Sequence, residues 1–403
     1  MNLTKKDLTT LQFVIIILLL GLGTKVFMIP LLLLKSSGRS SVFTMLIFFA
    51  IELFIIAVFL LSQKISKNKT AHEIIECTAG KVTSKIVSFI FIFYAVFKII
   101  LFVTILKNYL FTNFFDGFVW AIYLLPLIIV LACFGFRSLT SIGRMGEIFA
   151  PFILISIILV AALIAPNARL YSVLPLTESS GEALFNVRSL PMWFGDYILL
   201  FVMMGRIKVS NKRFKTKVIA SVIIAEIVAI AFAVMIFSAF IDVAPFLDLG
   251  QKISAITQLS LMRVAGGRVD VLLFAVWMIA IIITAGLYFY GASFNTDKML
   301  GMKKGNPFTT IALVVIIYIL SVFVFMNETR LFVFLTGFMG IFALIVQIGL
   351  PIFTLICSII HKKKYPNTSE SVNEESENAG DAALGVSNEI KSEKGGQVAN
   401  EKT

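Results

Sequence analysis

One apolar stretch constrains this chain more than any other feature, because it is long enough to cross a bilayer and yet is interrupted in its middle. Residues 11–34 read LQFVIIILLLGLGTKVFMIPLLLL, with Gly21-Leu22-Gly23-Thr24 followed at once by Lys25. Glycine inside a helix costs about 1 kcal/mol relative to alanine, and an ionised lysine near mid-bilayer costs about 2.5–3.5 kcal/mol. Backbone that leaves the helix at membrane depth persists only where it is buried in protein or lines a cavity, since lipid offers freed N–H and C=O groups no partner. The stretch therefore predicts a polar site inside a helical bundle. For the glycines alone, close approach of a neighbouring helix is the competing explanation.

The rest of the chain agrees with a membrane setting. Apolar residues make up 59% of its 403 positions, phenylalanine alone accounts for 39, and only 14% are charged, which excludes an ordinary soluble domain. No small-residue cleavage site follows the first apolar core, so that span is expected to remain in the mature protein. Apolar runs of roughly 18 residues or more place ten spans near 11–34, 40–61, 86–110, 118–135, 147–165, 189–207, 217–241, 269–292, 308–326 and 331–359. An even count puts both termini on one side. With that side cytoplasmic, 21 basic residues fall within and nine outside, which satisfies the positive-inside rule. The net charge of +12 thus serves orientation, and no nucleic-acid partner is expected. Cys77, Cys133 and Cys357 lie far apart without metal-ligand spacing, so neither a disulfide framework nor a metal site is expected.

Residues 1–362 are expected to form the transmembrane domain and 363–403 a disordered cytoplasmic tail, poor in aromatics and rich in Asn, Ser and Glu. Thr70 and Glu73 form a capping box ahead of Gly80, which predicts a short inner surface helix. His72 on that helix has no second ligand nearby and is expected at the surface. Outside, Ile253, Ile256, Leu259 and Met262 recur at helical intervals within 242–268, an amphipathic stretch suited to a lid.

Five ionisable residues fall well inside the spans: Lys25, Glu52, Lys98, Asp196 and Glu226. Such residues face the bundle interior and pair, and three acids against two bases leave one carboxyl in excess. Asp196 belongs to a second interrupted span, NVRSLPMWFGDYILLFVMMGR, weakened at Pro191 and Gly195 where Trp193 and Phe194 also sit. Breaks in the first and sixth of ten spans are what two inverted five-helix repeats produce, with half-helix ends meeting at the midplane. An ordinary Pro-Gly kink is the plainer account of the sixth span. Exposed amides at such ends attract a carboxylate and unwound carbonyls attract an ammonium, so a zwitterion satisfies both. Tyr94 with Lys98, and Thr284 with Tyr288, are each four residues apart and share a helical face that can line the same cavity. Candidate substrate-binding residues are therefore Gly21, Gly23, Thr24, Lys25, Tyr94, Lys98, Trp193, Phe194, Gly195, Asp196, Thr284 and Tyr288. No nucleophile–base pair or phosphate loop is present in the sequence, so an enzyme is not expected, nor is a cofactor.

Four segments in order, GLGTKVFMIP, LPMWFGDYILLFVMM, QLSLMRVAGGRVDVLL and GLYFYGASFNTDKMLGMKK, resemble the B subunits of spore germinant receptors. That family lies in the amino acid/polyamine/organocation transporter superfamily, and the likeness spans about residues 5–360. It implies an all-α polytopic membrane protein with ten transmembrane helices in a LeuT-like inverted-repeat fold. It also implies residence in the spore inner membrane, an amino acid germinant, and partnership with an A subunit and a lipoprotein C subunit. Two departures stand out: Lys25 replaces a small residue, and Asp196 stands where a glutamate is common. A proton-coupled amino acid or polyamine transporter, or a receptor scaffold with a vestigial pocket, are the rival expectations.

Overall fold

The computed structural model describes residues 8–23, 25–26, 29–30, 32–33, 40–66, 69–114, 120–169, 180–207, 213–240, 269–303, 305–324 and 328–364. Thr24, the whole of the expected lid at 242–268 and the tail from 365 onward lie outside them. The described residues are helical apart from connecting turns and one isolated bridge between Leu8 and Ile207. In chain order the helices are α1 (Thr10–Leu22), α2 (Ser41–Ser66), α3 (Ala71–Phe114), α4 (Trp120–Phe136), α5 (Leu139–Ile164), α6 (Ser180–Ser189), α7 (Leu199–Met203), α8 (Phe214–Phe240), α9 (Val269–Leu300), α10 (Pro307–Ile319), α11 (Glu328–Thr336) and α12 (Phe338–Lys364).

Among the described residues six helices are long and apolar enough to cross a membrane, and three shorter apolar helices accompany them, so the protein is a multi-pass membrane protein. Their burial sorts them into layers. Of the 18-residue apolar stretch within each, 78% of residues are buried in Val276–Leu300 on α9 and 67% in Ala71–Lys107 on α3, against 33% in Leu139–Ala162 on α5. A helix apolar on all sides and buried on most is the centre of a bundle, and one with a wide exposed apolar face belongs at its lipid boundary. Accordingly α9 packs along α3 and also against α4 and α5, while α1 lies between α5 and α8, and α12 covers α2 and α3.

Local chemistry sets several helix ends. Thr9 and Gln12 close α1 with a reciprocal capping box, at 3.2 Å in both directions. Asn306 caps α10 ahead of Pro307, which lacks the N–H that a first-turn residue would leave unpaired. The expected box at Thr70 and Glu73 forms, and Gly80 interrupts α3 at φ 90°, so that 71–79 is a short helix set off from the span that follows. That turn folds the short helix back upon the span. His72 is consequently buried, with Nδ1 3.0 Å from both the Ser84 and Ser88 hydroxyls, which corrects its expected surface position.

Candidate functional site

The sixth span unwinds where its sequence is weakest. Pro191 opens a single turn of 3₁₀-helix through Trp193, Phe194 is extended, and Gly195 takes the left-handed conformation at φ 76° before a second turn over Asp196–Ile198 leads into α7. This geometry frees backbone groups that neighbouring helices then satisfy, as burial requires. Lys98 of α3 donates to the Met192 carbonyl at 2.6 Å and the Phe194 carbonyl at 3.0 Å, and lies 2.9 Å from Asp196 Oδ1. Gln347 of α12 places its amide nitrogen within 3.0 Å of the Pro191 and Phe194 carbonyls and of the Tyr94 hydroxyl. The Gly195 N–H donates to Glu52 Oε1 of α2 at 2.8 Å. Tyr288 of α9 completes the cluster by donating to Asp196 Oδ1 at 2.9 Å.

Gly195 meets two demands at once. Its backbone lies where side chains are disfavoured, and an added Cβ would sit 2.2 Å from the Gln347 amide. Phe194 stacks on Phe48 of α2 with ring centres 3.8 Å apart. Trp193 is buried against Phe332, and its indole N–H finds no partner among the described residues.

The first span is interrupted later than its glycines suggest. Gly21 lies inside α1, and Gly23 keeps helical angles, its N–H reaching the Leu19 carbonyl at 2.8 Å. The glycines instead serve contact: a Cβ on Gly21 would lie 2.4 Å from the Tyr197 hydroxyl and 2.7 Å from Ala225, and one on Gly23 would lie 3.3 Å from the Thr284 hydroxyl. The expectation that Gly21 unwinds the helix is thus corrected in favour of close packing. Departure from the regular helix follows Gly23, whose carbonyl is capped by the indole N–H of Trp277 on α9 at 2.8 Å.

Just beyond this point Lys25 contacts the carboxylates of both Glu52 and Glu226, and its ammonium lies 4.8 Å from the Tyr197 ring centre. Lys25 therefore does not pair with Asp196, which belongs to Lys98. All five ionisable residues are buried, at 1% exposure for Lys25, Glu52 and Asp196, 3% for Glu226 and 0% for Lys98.

Eleven of the twelve candidate residues fall within the described residues, and they gather where the two interrupted segments meet. Lys98, Phe194, Gly195, Asp196, Tyr94 and Tyr288 form one hydrogen-bonded cluster. Tyr94 and Tyr288 meet edge-on with ring centres 6.0 Å apart. Gly21, Gly23, Lys25 and Thr284 lie at the first segment, although the Thr284 hydroxyl donates to its own helix at Ala280. Trp193 sits to one side.

Gln347, Trp277 and Tyr197 complete the arrangement and were not among the candidates. An uncharged glutamine in an otherwise apolar last span is a visible signal; a tryptophan or tyrosine among so many aromatics is not.

The arrangement has a simple chemical consequence. The exposed amide at Gly195 already holds a carboxylate, that of Glu52, and the unwound carbonyls already hold an ammonium, that of Lys98. Both poles suited to a zwitterion are thus filled by the chain's own side chains. A family model described as spore germination protein matches residues 7–333. A comparison with curated proteins gives no match.

Proposed function

The chain belongs to the spore germination protein family, and on that footing we propose that it is the germinant-sensing membrane subunit of a spore germination receptor. In this reading it binds a small zwitterionic germinant, an amino acid, between the interrupted segments and passes the signal to an A subunit and a lipoprotein C subunit. The proposed setting is the spore inner membrane, with ten spans in two inverted five-helix repeats and both termini cytoplasmic. No reaction is catalysed.

One observation carries the proposal: Glu52 touches both interrupted segments, through Lys25 on the first and the Gly195 N–H on the sixth. A ligand that competes for either contact changes how the two segments are joined. Its ammonium can replace Lys98 at the Met192 and Phe194 carbonyls, or its carboxylate can replace Glu52 at Gly195. Either exchange releases a side chain anchored on α2 or α3, and these helices are the proposed route of the signal. The same fold class also serves transporters, and the excess buried carboxyl favours proton-coupled uptake as the second reading.

Spores carrying Asp196→Ala are expected to lose their response at limiting germinant while keeping the protein in the membrane, with Asp196→Glu milder. Normal germination of Asp196→Ala spores at limiting germinant would sink the site. Uptake of a labelled amino acid into liposomes holding this subunit alone would favour the transporter.

A further inference from the structure

The Lys25 cluster does not balance if every group in it is ionised. Two carboxyls, Glu52 of α2 and Glu226 of α8, contact one ammonium, and all three side chains are removed from solvent. The other buried ammonium, Lys98, is committed to Asp196 and two carbonyls. Both carboxyls are thus held against the same ammonium nitrogen, in a place where neither charge is hydrated. Two ionised carboxylates offer only acceptors and repel, and one ammonium balances one of them, so removal from solvent favours a proton on the other. We propose that Lys25, Glu52 and Glu226 form a proton-binding site within the membrane, in which the two carboxyls share a single proton.

Among the described residues the surroundings supply no other compensation. Glu226 faces Lys25 from the first span, Glu52 from α2 and Tyr197 from the turn before α7. The Tyr197 ring lies against the Lys25 ammonium, and its hydroxyl has no hydrogen-bond partner among the described residues. The helix α5 also packs on α8, but its Glu147 binds Gln12. Gln12 is roughly 20 Å along the first span from Lys25 at 1.5 Å per residue, and Arg144 lies within a turn of Glu147.

Within the triad the carboxyls differ. Both oxygens of Glu52 face donors, Lys25 and the Gly195 N–H, which favours its ionised form, whereas Glu226 has Lys25 alone among its ionic partners. The proton therefore resides chiefly on Glu226. Its departure leaves one negative charge in excess beside the carboxylate that holds Gly195, so proton occupancy sets the charge at the junction of the two segments. This inference depends on the triad's composition and stands apart from the germinant reading.

The test is infrared spectroscopy of the purified full-length protein in lipid nanodiscs, following the C=O stretch of protonated carboxyls and its shift in heavy water. The wild type at neutral pH is expected to show one such group more than Glu226→Gln and than Glu52→Gln, since each glutamine leaves one carboxylate for one ammonium. Lys25→Met is expected to show one more than the wild type, because both carboxyls are then neutral. Loss of the band in only one glutamine variant shows a proton held by that glutamate alone and overturns the sharing. A band unchanged in both glutamine variants overturns the proposal, as does a wild-type spectrum with no protonated-carboxyl band, a result that needs no variant to fold.

Discussion

Glu52 Oε1 accepts the N–H of Gly195 at 2.8 Å across 143 residues of chain, while the other oxygen of the same carboxylate contacts Lys25. One side chain on α2 thus ties together the two places where the membrane helices come apart. The predictions below concern what depends on that tie.

Lys25 and Glu226 are expected to be energetically coupled, and Lys25 and Asp196 are not. Lys25→Met removes the one ammonium that contacts the two buried carboxyls among the described residues and is expected to lower stability by about 3 kcal/mol. Adding Glu226→Gln should restore part of this, with a coupling of about 1–3 kcal/mol. Adding Asp196→Asn should restore none, because Asp196 belongs to Lys98. Thermal melting of the four proteins in detergent checks the assignment, and recovery by Asp196→Asn would reverse it.

Gly195→Ala is expected to destabilise the turn through both backbone strain and collision with Gln347. At φ 76° a non-glycine residue costs about 1 kcal/mol or more, and the new methyl meets the amide at 2.2 Å. Gln347→Ala removes the collision but also the donor of the freed carbonyls, so the double variant is expected to lose less than the sum of the two single variants. A fully additive loss argues against the collision, and no loss in Gly195→Ala alone contradicts the described turn.

Gln347→Leu leaves the carbonyls of Pro191 and Phe194 and the Tyr94 hydroxyl without that donor. A buried polar group deprived of its partner costs about 1–3 kcal/mol, so a fall in melting temperature is expected together with a weaker germinant response. A variant with wild-type dose response and stability would show that α12 does not hold the turn.

Gly21→Ala is expected to push Tyr197 aside, since the added Cβ would lie 2.4 Å from its hydroxyl oxygen. Tyr197→Phe removes that oxygen and should rescue part of the loss, leaving the 2.7 Å approach to Ala225. Protein abundance in the membrane reads both effects. An unaffected Gly21→Ala would mean that α1 and α8 are not in close contact.

Sodium is expected to be dispensable. The Met192 and Phe194 carbonyls with the Asp196 carboxylate offer oxygens that a metal cation would otherwise gather, and the Lys98 ammonium already occupies them. Replacing sodium by choline should leave the germinant dose response unchanged. A response that requires sodium would show that the lysine does not take the cation's place.

The membrane setting, the two sites of interruption and the set of buried charges were legible in the sequence because each is a short-range property. Apolar run length fixes what can cross lipid, Pro191 and Gly195 weaken a helix through their own backbones, and three acids against two bases can be counted without a fold. The sixth-span break lies where those two residues stand. Tertiary structure decided what depends on which helices touch. Lys25 could have paired with any buried acid, and it takes Glu52 and Glu226, the latter 201 residues away, because α1 packs against α8 and the Gly195 turn holds Glu52 in place. Gly21 has the composition of a hinge but lies against Tyr197 and Ala225, so it acts as a contact. From the sequence His72 is expected at the surface because it has no second ligand nearby, yet the turn at Gly80 folds it onto Ser84 and Ser88. Gln347 is visible in the sequence as a lone amide in an apolar span, but its partners are not. Its role arises only because α12 crosses the unwound segment, where freed carbonyls need a donor that lipid cannot supply.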